Sequence, residues 1–446
     1  MVEICTVGGY DEVGRNMTAV RYKDEVVIFD MGLHLENYIR YTNDEDLAII
    51  NVRELTKVEA VPDISLIEDW RKMVKAIIPT HAHLDHLGGI PFLAGKFNAP
   101  IICSPYTGAV LKRILDDQKT PFRNEIISIP STSTFKISKN FTIEFVAITH
   151  STPDSVMAFL HTPEGIVVYA NDFKFDLYPT LGKKPDFDKL RKLGEKGILC
   201  AITDSTYAGD HIKMPSESVA KQLLKDVMLG TDSRNKAVIV TTFSSHIARL
   251  KSIVEFGEKM NRKIVFLGRS LSKYVFAAED ANLVNFSKDV EIVKYRSQIK
   301  KRLKEIMKSG KEKYLLVVTG HQGEPRATLS RMIDGELNFN FSHDDHVVFS
   351  CKVIPTETNR RDREILEEKL RDRKVRIFKD IHVSGHAARE DLRQFIEILE
   401  PKNIIPAHGD PGKTGEMIAL SEELGYKRGK NVFLMRNGGR IEITPK

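Results

Sequence analysis

Three histidines and an aspartate crowd into six residues at His81-Ala82-His83-Leu84-Asp85-His86. Imidazole nitrogen and carboxylate oxygen are the donors that suit zinc and similar divalent ions, so the chemistry on offer is metal-assisted hydrolysis. With 14 histidines in 446 residues, the pattern is too dense to be a solvated polar loop. The apolar run Ala76-Ile77-Ile78-Pro79 before it reads as a buried strand, and Gly88-Gly89 behind it is expected to let the backbone turn tightly. Other candidates also stand at strand ends. The strand read at 25–29 stops at Asp30, 142–148 runs into Thr149-His150, and 165–170 delivers Asn171-Asp172. Likewise 198–203 delivers Asp204, and 403–405 leads to His408. Apolar strands that repeatedly end on His or Asp describe a site at one edge of a sheet, where rigid backbone lets side chains converge.

The whole chain must position that site. Its 446 residues imply roughly two to three domains. A composition of 41% apolar and 29% charged residues implies a packed core. No apolar run approaches the roughly 20 residues that span a bilayer, so no membrane role is expected. Met1-Val2-Glu3-Ile4-Cys5 enters a strand at once without a basic, apolar leader, and the expected location is cytoplasmic. Cys5, Cys103, Cys200 and Cys351 lie far apart in strand-like runs, which reads as buried free thiols and not as a zinc ribbon or disulfide framework. A net charge of +6 permits a polyanionic partner without requiring one. Residues 291–313 hold nine basic residues against three acidic, a pattern equally open to a solvated helix face and to a binding patch.

Strands come early, at 3–7, 17–22 and 25–29; residues 34–75 read as irregular and charged, and helical spacing appears at 90–97 and 108–117. From about 217 to 350 helical and strand patterns alternate, which implies βαβ units, a mainly parallel sheet and a second domain. A basic helix over 360–372, a helix over 389–399 and another near 415–424 follow.

Jointly and in this order, Asp30, the 81–86 cluster, His150, Asp172 and His408 resemble the metallo-β-lactamase superfamily, over residues 3 to about 443. The resemblance implies an α/β fold, an αββα sandwich with two divalent metal ions at one edge. By it, His81, His83 and His150 hold the first ion, Asp85, His86 and His408 the second, and Asp172 bridges them. Asp30 then fixes a ligand histidine from outside the ligand set. The oxygen and nitrogen donors favour zinc and allow manganese or magnesium. Asp172 and His408 stand 236 positions apart, room for a whole inserted domain. That looks like the β-CASP branch, which acts on nucleic acids. Asp204 matches its acidic motif A, His382 and His386 fit motif B and its following histidine, and His408 is the histidine of motif C. The expected division is 1–207 for the first part of the metallo-β-lactamase domain, 208–357 for the inserted β-CASP domain and 358–446 for the last part.

Within that branch the chain resembles ribonuclease J. The opening Gly8-Gly9-Tyr10-Asp11-Glu12-Val13-Gly14-Arg15-Asn16-Met17-Thr18 is similar to that family's start, as are Thr242-Phe243-Ser244-Ser245-His246, Leu267-Gly268-Arg269-Ser270 and Thr319-Gly320-His321-Gln322-Gly323-Glu324-Pro325. His321 departs from the small residue usual there. The chain closes soon after motif C, so the shorter archaeal type is expected; a homodimer stays open, but not through the bacterial C-terminal domain. The resemblance implies a metal-dependent ribonuclease that degrades or matures single-stranded RNA. A 5′→3′ exonuclease preferring a 5′-monophosphate is expected, working by attack of a two-metal-activated water. Asp85, Asp204, His382 and His386 are the candidate catalytic residues. Ser244, Ser245, His246, Arg269, Ser384 and Gly385 are candidates for holding an RNA phosphate. The blander reading of 242–246 is a strand-to-helix turn capped by Ser245. His343-Asp344-Asp345-His346 matches no superfamily motif and reads as a turn. The alternatives are an endonuclease of the same branch, resembling the polyadenylation cleavage factor, and a non-catalytic RNA-binding protein, which the intact ligand set disfavours.

Overall fold

The computed structural model describes residues 1–44, 52–118 and 121–444. The chain forms two compact units, the first from 1–177, 183–214 and 385–446, the second from 178–182 and 215–384. Among the described residues, no helix is long and apolar enough to cross a membrane. All four cysteines are free and buried.

In the first unit two sheets face each other. One runs in the order Gly439–Ile443, Val2–Gly8, Met17–Tyr22, Glu25–Phe29, Val74–Ile78, Ile101–Cys103, Ile126–Ser128. The other runs Ile404–Ala407, Ile198–Asp204, Gly165–Ala170, Val156–Thr162, Thr142–Ala147, Thr134–Lys136. Alternating apolar residues of both, including Val20, Val27 and Ile78 from the first and Phe145, Leu160 and Ile202 from the second, share one buried core. Phe29 and Tyr169 stack across it at 5.0 Å. Helices Phe187–Glu195, Arg389–Leu399 and Pro411–Glu423 cover the outer face of the second sheet through Leu190, Phe395 and Met417. This is the αββα sandwich that the ligand order implied.

Residues 34–75 are not irregular. Leu35–Asp44 and Val52–Lys57 are helices, and Ile64–Met73 is a 3₁₀ segment whose start is capped by Asp63, which accepts from Ser65 N at 3.0 Å. Residues 45–51 of this stretch lie outside the described residues. Only Leu55, Ile67 and Trp70 are buried in the two later pieces, too sparse a set to show a period. The fully buried Trp70 ring is covered by the Arg440 guanidinium, 4.5 Å from its centre.

The second unit is a six-stranded sheet in which every pairing is parallel, ordered Val290–Val293, Lys263–Leu267, Tyr314–Val318, Val238–Thr241, His346–Phe349, Arg376–Phe378. The βαβ expectation is met, but the unit's limits differ from 208 and 357. Helix Glu357–Asp372 puts Leu366 and Leu370 into this unit's core, and strand Arg376–Phe378 pairs with His346–Phe349, so the return to the first unit comes only at 385. The turn at 343–346 holds Asp345, which accepts from Ala237 N and Ser342 N.

One buried ion pair ties this unit together. Arg249, fully buried, donates from Nε and Nη2 to the two Glu217 oxygens at 2.6 and 2.8 Å. Its Nη1 donates to Ser350 O, Ser350 Oγ and Ile381 O. Burial alone would raise the Glu217 carboxyl, yet His246 and Arg249 hold it well below its ordinary value of 4.5. Its contribution to stability is therefore complete above about pH 4.5 and is lost as the pH falls toward the depressed folded value. Glu217→Gln strands the buried guanidinium, at a cost of about 3–5 kcal/mol. Urea unfolding should show that gap from wild type constant at pH 6–8 and shrinking below about pH 4.5; a gap that widens in acid would contradict the assignment.

Candidate metal centre

The candidate ligands all sit where first-unit strands end. Val74–Ile78 leads through Thr80 to His81, and the short helix Leu84–Leu87 carries Asp85 and His86 behind His83. Asp30 follows Glu25–Phe29, Asp172 follows Gly165–Ala170, and His408 follows Ile404–Ala407. Asp30 and His408 both adopt φ +55°, a left-handed conformation that turns the chain sharply at the strand end. Gly88 and Gly89 have ordinary negative φ, so the expected tight turn is not their task. They are needed for close approach. A Cβ on Gly89 would meet Gly32 O at 2.8 Å, and one on Gly32 would meet Asp85 O at 1.7 Å. The backbones of the Asp30 loop and the histidine helix touch, which brings Asp30 within reach of His86.

Two groups of donors result. His81, His83, His150 and Asp172 each offer an atom within 4.8 Å of the others, and so do Asp85, His86, Asp172 and His408. Asp172 belongs to both. Its Oδ2 lies 3.5 Å from His81 Nε2 and from His150 Nε2, and its Oδ1 lies 3.3 Å from His86 Nε2 and 3.6 Å from His408 Nε2. Asp85 Oδ2 closes the second group, 3.6 Å from His86 Nε2 and 3.9 Å from His408 Nε2.

An outer layer fixes the rings by their far nitrogens. His86 Nδ1–H donates to Asp30 Oδ2 at 2.7 Å, and Asp30 is itself held by Thr80 N at 2.8 Å. His150 Nδ1–H donates to Gly385 O at 2.7 Å, so Gly385 serves this centre. His408 Nδ1–H donates to Asn16 Oδ1 at 2.9 Å, while Asn16 Nδ2 donates to Asp85 O at 3.0 Å. Fixing Nδ1 in this way aims each Nε2 inward. Asn16 was not assigned a role from the sequence. Its signal was present, in the stretch Asn16-Met17-Thr18, but its partners lie 69 and 392 positions away.

The electrostatics match a cation site. Burial, reinforced by neighbouring imidazoles, pushes His81 and His150 well below 6.5, and burial brings His83 down to about 4. These rings are neutral, the form that ligates. Burial would raise the Asp172 carboxyl, but the rings of His408, His86 and His386 hold it well below the carboxylate range. Burial opposes a proton on His86, yet Asp172, Asp30 and Asp85 raise its pKa well above 6.5. His81 Nε2 and Asp172 Oδ1 are buried without a hydrogen-bond partner. Orphaned inward donors, anchored outward nitrogens and an all N/O ligand set fit a pair of divalent cations.

His386 and Asp204 form a third group with Asp172. Asp204 Oδ2 holds His386 Nδ1 at 2.9 Å, and its Oδ1 accepts from Thr206 N at 2.8 Å. His386 Nε2 then points to Asp172 Oδ2, 3.8 Å away. Despite its burial, Asp172 and Asp204 raise His386 to about 10.

The remaining candidates belong to the second unit. Its motif stretches all lie at the carboxyl edge of the parallel sheet: 242–246 after Val238–Thr241, Gly268-Arg269 after Lys263–Leu267, 319–325 after Tyr314–Val318. Ligands of open parallel sheets bind at that edge. Ser244 is half-buried, Ser245 and Ser384 are buried, and the exposed Arg269 opens helix Arg269–Asp280. Ser245 does not cap the next helix; the cap position falls on His246, with no side-chain cap bond. His246 is turned inward, its Nε2 3.4 Å from Glu217. Burial, with Arg249 and His246, brings His382 down to about 2, so that ring is neutral. Its neighbour Phe243 packs edge-on against His321, ring centres 4.3 Å apart.

Family models match three stretches: the metallo-beta-lactamase superfamily at residues 10–225, the ribonuclease J beta-CASP domain at 235–367, and the Zn-dependent metallo-hydrolase RNA specificity domain at 372–435. The chain is 46% identical over 438 residues to a ribonuclease J of Methanocaldococcus jannaschii, covering 98% of each. It is 43% identical to a ribonuclease J of Pyrococcus abyssi, covering 99% of this chain and 97% of that one. To ribonuclease J 1 of Streptococcus pyogenes it is 31% identical, spanning 99% of this chain and 74% of the relative. A crystal structure of an Enterococcus faecalis protein of unknown function shares the fold, with a TM-score of 0.64, 16% identity and 99% coverage of both chains.

Asn16 touches both Asp85 and His408 and none of His81, His83 or His150. Asn16→Ala should therefore weaken metal retention at one of two sites by about 10–100-fold. Dialysis against a graded chelator, followed by elemental analysis, should show one ion per chain lost early and one kept; loss of neither would contradict the role.

Proposed function

This chain belongs to the ribonuclease J family and is a metal-dependent ribonuclease; on that premise we propose that it shortens single-stranded RNA in the 5′→3′ direction and prefers a 5′-monophosphate. The observation that carries the proposal is the gathering of neutral donors at one edge of the second unit's sheet, where Ser244, Ser245 and the start of helix Ile247–Lys259, which no side chain caps, are joined by the exposed Arg269. Such a set suits a terminal phosphate, which offers more oxygens than an internal one. Ser384 completes the proposed set.

At the centre, we assign His81, His83 and His150 to one ion, Asp85, His86 and His408 to the other, and Asp172 to both. Zinc suits these donors, as do manganese and magnesium. Two divalent ions bound there would lower the pKa of a water and stabilise charge on the phosphoryl oxygens. The chain's own contributions are positional. Asp30, Gly385 and Asn16 orient the ligand rings, and Asp204 holds His386 by Nδ1. That leaves His386 Nε2 facing the centre, where it can hold a phosphoryl oxygen or give a proton to the leaving oxygen. His382 is partly buried and neutral, so it is not assigned the proton transfer.

The test compares one RNA sequence with a 5′-monophosphate, a 5′-triphosphate and no free end. The monophosphate form should be reduced to mononucleotides, the triphosphate form at least about tenfold more slowly (about 1.4 kcal/mol in the barrier), and the circle should persist. Equal rates, or prompt cutting of the circle, would mean endonuclease action and overturn the proposed direction. Asp204→Asn, which removes a carboxylate that holds the proton on His386, should lower kcat by about 10²–10⁴-fold with metal content unchanged; unchanged kcat would remove His386 from the mechanism.

A further inference from the structure

We propose that helix Arg296–Ser309 of the second unit is a binding surface for the sugar–phosphate backbone of RNA, formed by Lys300, Lys301, Lys304 and Lys308. The inference rests on the reading of the chain as a ribonuclease and adds a contact that grips the RNA chain independently of the bond being cut.

The helix carries six basic residues against one acidic, Glu305. The unit's other long helices are balanced: Glu357–Asp372 has five basic and six acidic residues, Ile247–Lys259 three and two, and Glu217–Gly230 two and two. A helix face that needs only to be wet follows the balanced pattern.

Seven of the nine cations of the 291–313 run fall into two kinds. Arg296 pairs with Glu336 at 2.7 Å, Arg302 with Glu291 at 2.8 Å and Glu305 at 3.2 Å, and Lys311 with the buried Asp345. These serve the fold. Lys300, Lys301, Lys304 and Lys308 are all exposed, and among the described residues none has a carboxylate at ion-pairing distance. Glu305, one turn from Lys301 and from Lys308, is committed to Arg302.

At about 100° per residue the four lysines fall within an arc of roughly 100°. Ile299, Leu303 and Ile306 occupy the opposite, buried side. Lys300, Lys304 and Lys308 repeat every fourth residue, about 6 Å apart along the axis, so three ammonium groups line up over about 12 Å. Like charges at this spacing repel and weaken the helix. A regular array of phosphates removes that repulsion, because each long lysine stem can settle its head on a separate phosphate. The protein's own substrate has that charge pattern. Such contacts carry no sequence information and suit an enzyme that must move along its RNA.

The test uses the intact, metal-loaded chain with all four lysines changed to glutamine, beside a counterpart with all four changed to arginine. kcat/KM is measured on 5′-monophosphorylated RNAs of about 30 and about 4 nucleotides across a salt series. With about 0.7 of a logarithmic unit of salt dependence per single-strand contact, four contacts correspond to a slope of roughly 3. The glutamine variant should lose at least about tenfold in kcat/KM on the long RNA near 0.1 M salt, lose most of that slope, and match wild type on the short RNA. The arginine variant should behave as wild type. If the glutamine variant keeps the long-RNA slope, or loses equally on both lengths, the surface serves another anionic partner or none and the proposal falls. Failure of wild type to cut either RNA would instead overturn the ribonuclease reading itself.

Discussion

A buried carboxylate ringed by five imidazoles is the constraint on which the first unit depends. Asp172 sits 5% exposed at the end of a central strand, with the Nε2 atoms of His81, His86, His150, His386 and His408 all within 3.8 Å of its oxygens. Removing a carboxylate from water is costly unless positive charge accompanies it. The surrounding rings supply it incompletely, since burial keeps His81 and His150 neutral. A site that sets the neutral rings of His81, His83 and His150 beside an ionised carboxylate fits divalent cations.

The fold meets the demand for geometry in two steps. Parallel strands bring the ligands to one edge, and a layer of hydrogen bonds then sets the rotation of each ring. Asp30 for His86, Asn16 for His408, Gly385 for His150 and Asp204 for His386 repeat one device, an acceptor that takes the outward N–H so that the other nitrogen faces in. These acceptors come from four different places in the chain. The site is rigid because it is tied to both sheets, and the glycine contact between Gly32 and Asp85 shows how tightly the loops are pressed together.

Residue identity made the candidate cluster legible in advance, because H-x-H-x-D-H is dense and local, and the structure groups these side chains. The remaining ligands, each at the end of an apolar run, could be ordered along the chain. The α/β sandwich and the parallel second sheet were legible for the same reason: strands and helices there are long enough to show their period. Asn16 escaped because an asparagine in a glycine-rich loop has no local sign of its partners. The short helices of 34–75 escaped because three buried anchors in two pieces make no periodic stripe. The helix read as basic over 360–372 carries both signs of charge in near balance over Glu357–Asp372, and Leu366 and Leu370 in the second core show where it belongs. At 291–313 the ion pairs take up Arg296, Arg302 and Lys311, which leaves Lys300, Lys301, Lys304 and Lys308 as the basis of the proposed patch.

In the proposed reading, chemistry and substrate grip are divided between two kinds of charge. The first unit buries carboxylates and neutral imidazoles that require a cation; the second presents neutral donors at a sheet edge and a line of uncompensated lysines that require an anion. The proposed two-metal centre depends on Asp172 serving two ions at once. Elemental analysis of purified Asp172→Asn against wild type, with circular dichroism to establish that the variant is folded, tests this most directly. Two ions per chain in wild type and loss of both in the variant is the result predicted. A folded variant that keeps two ions would contradict the bridging role and with it the two-metal centre described here.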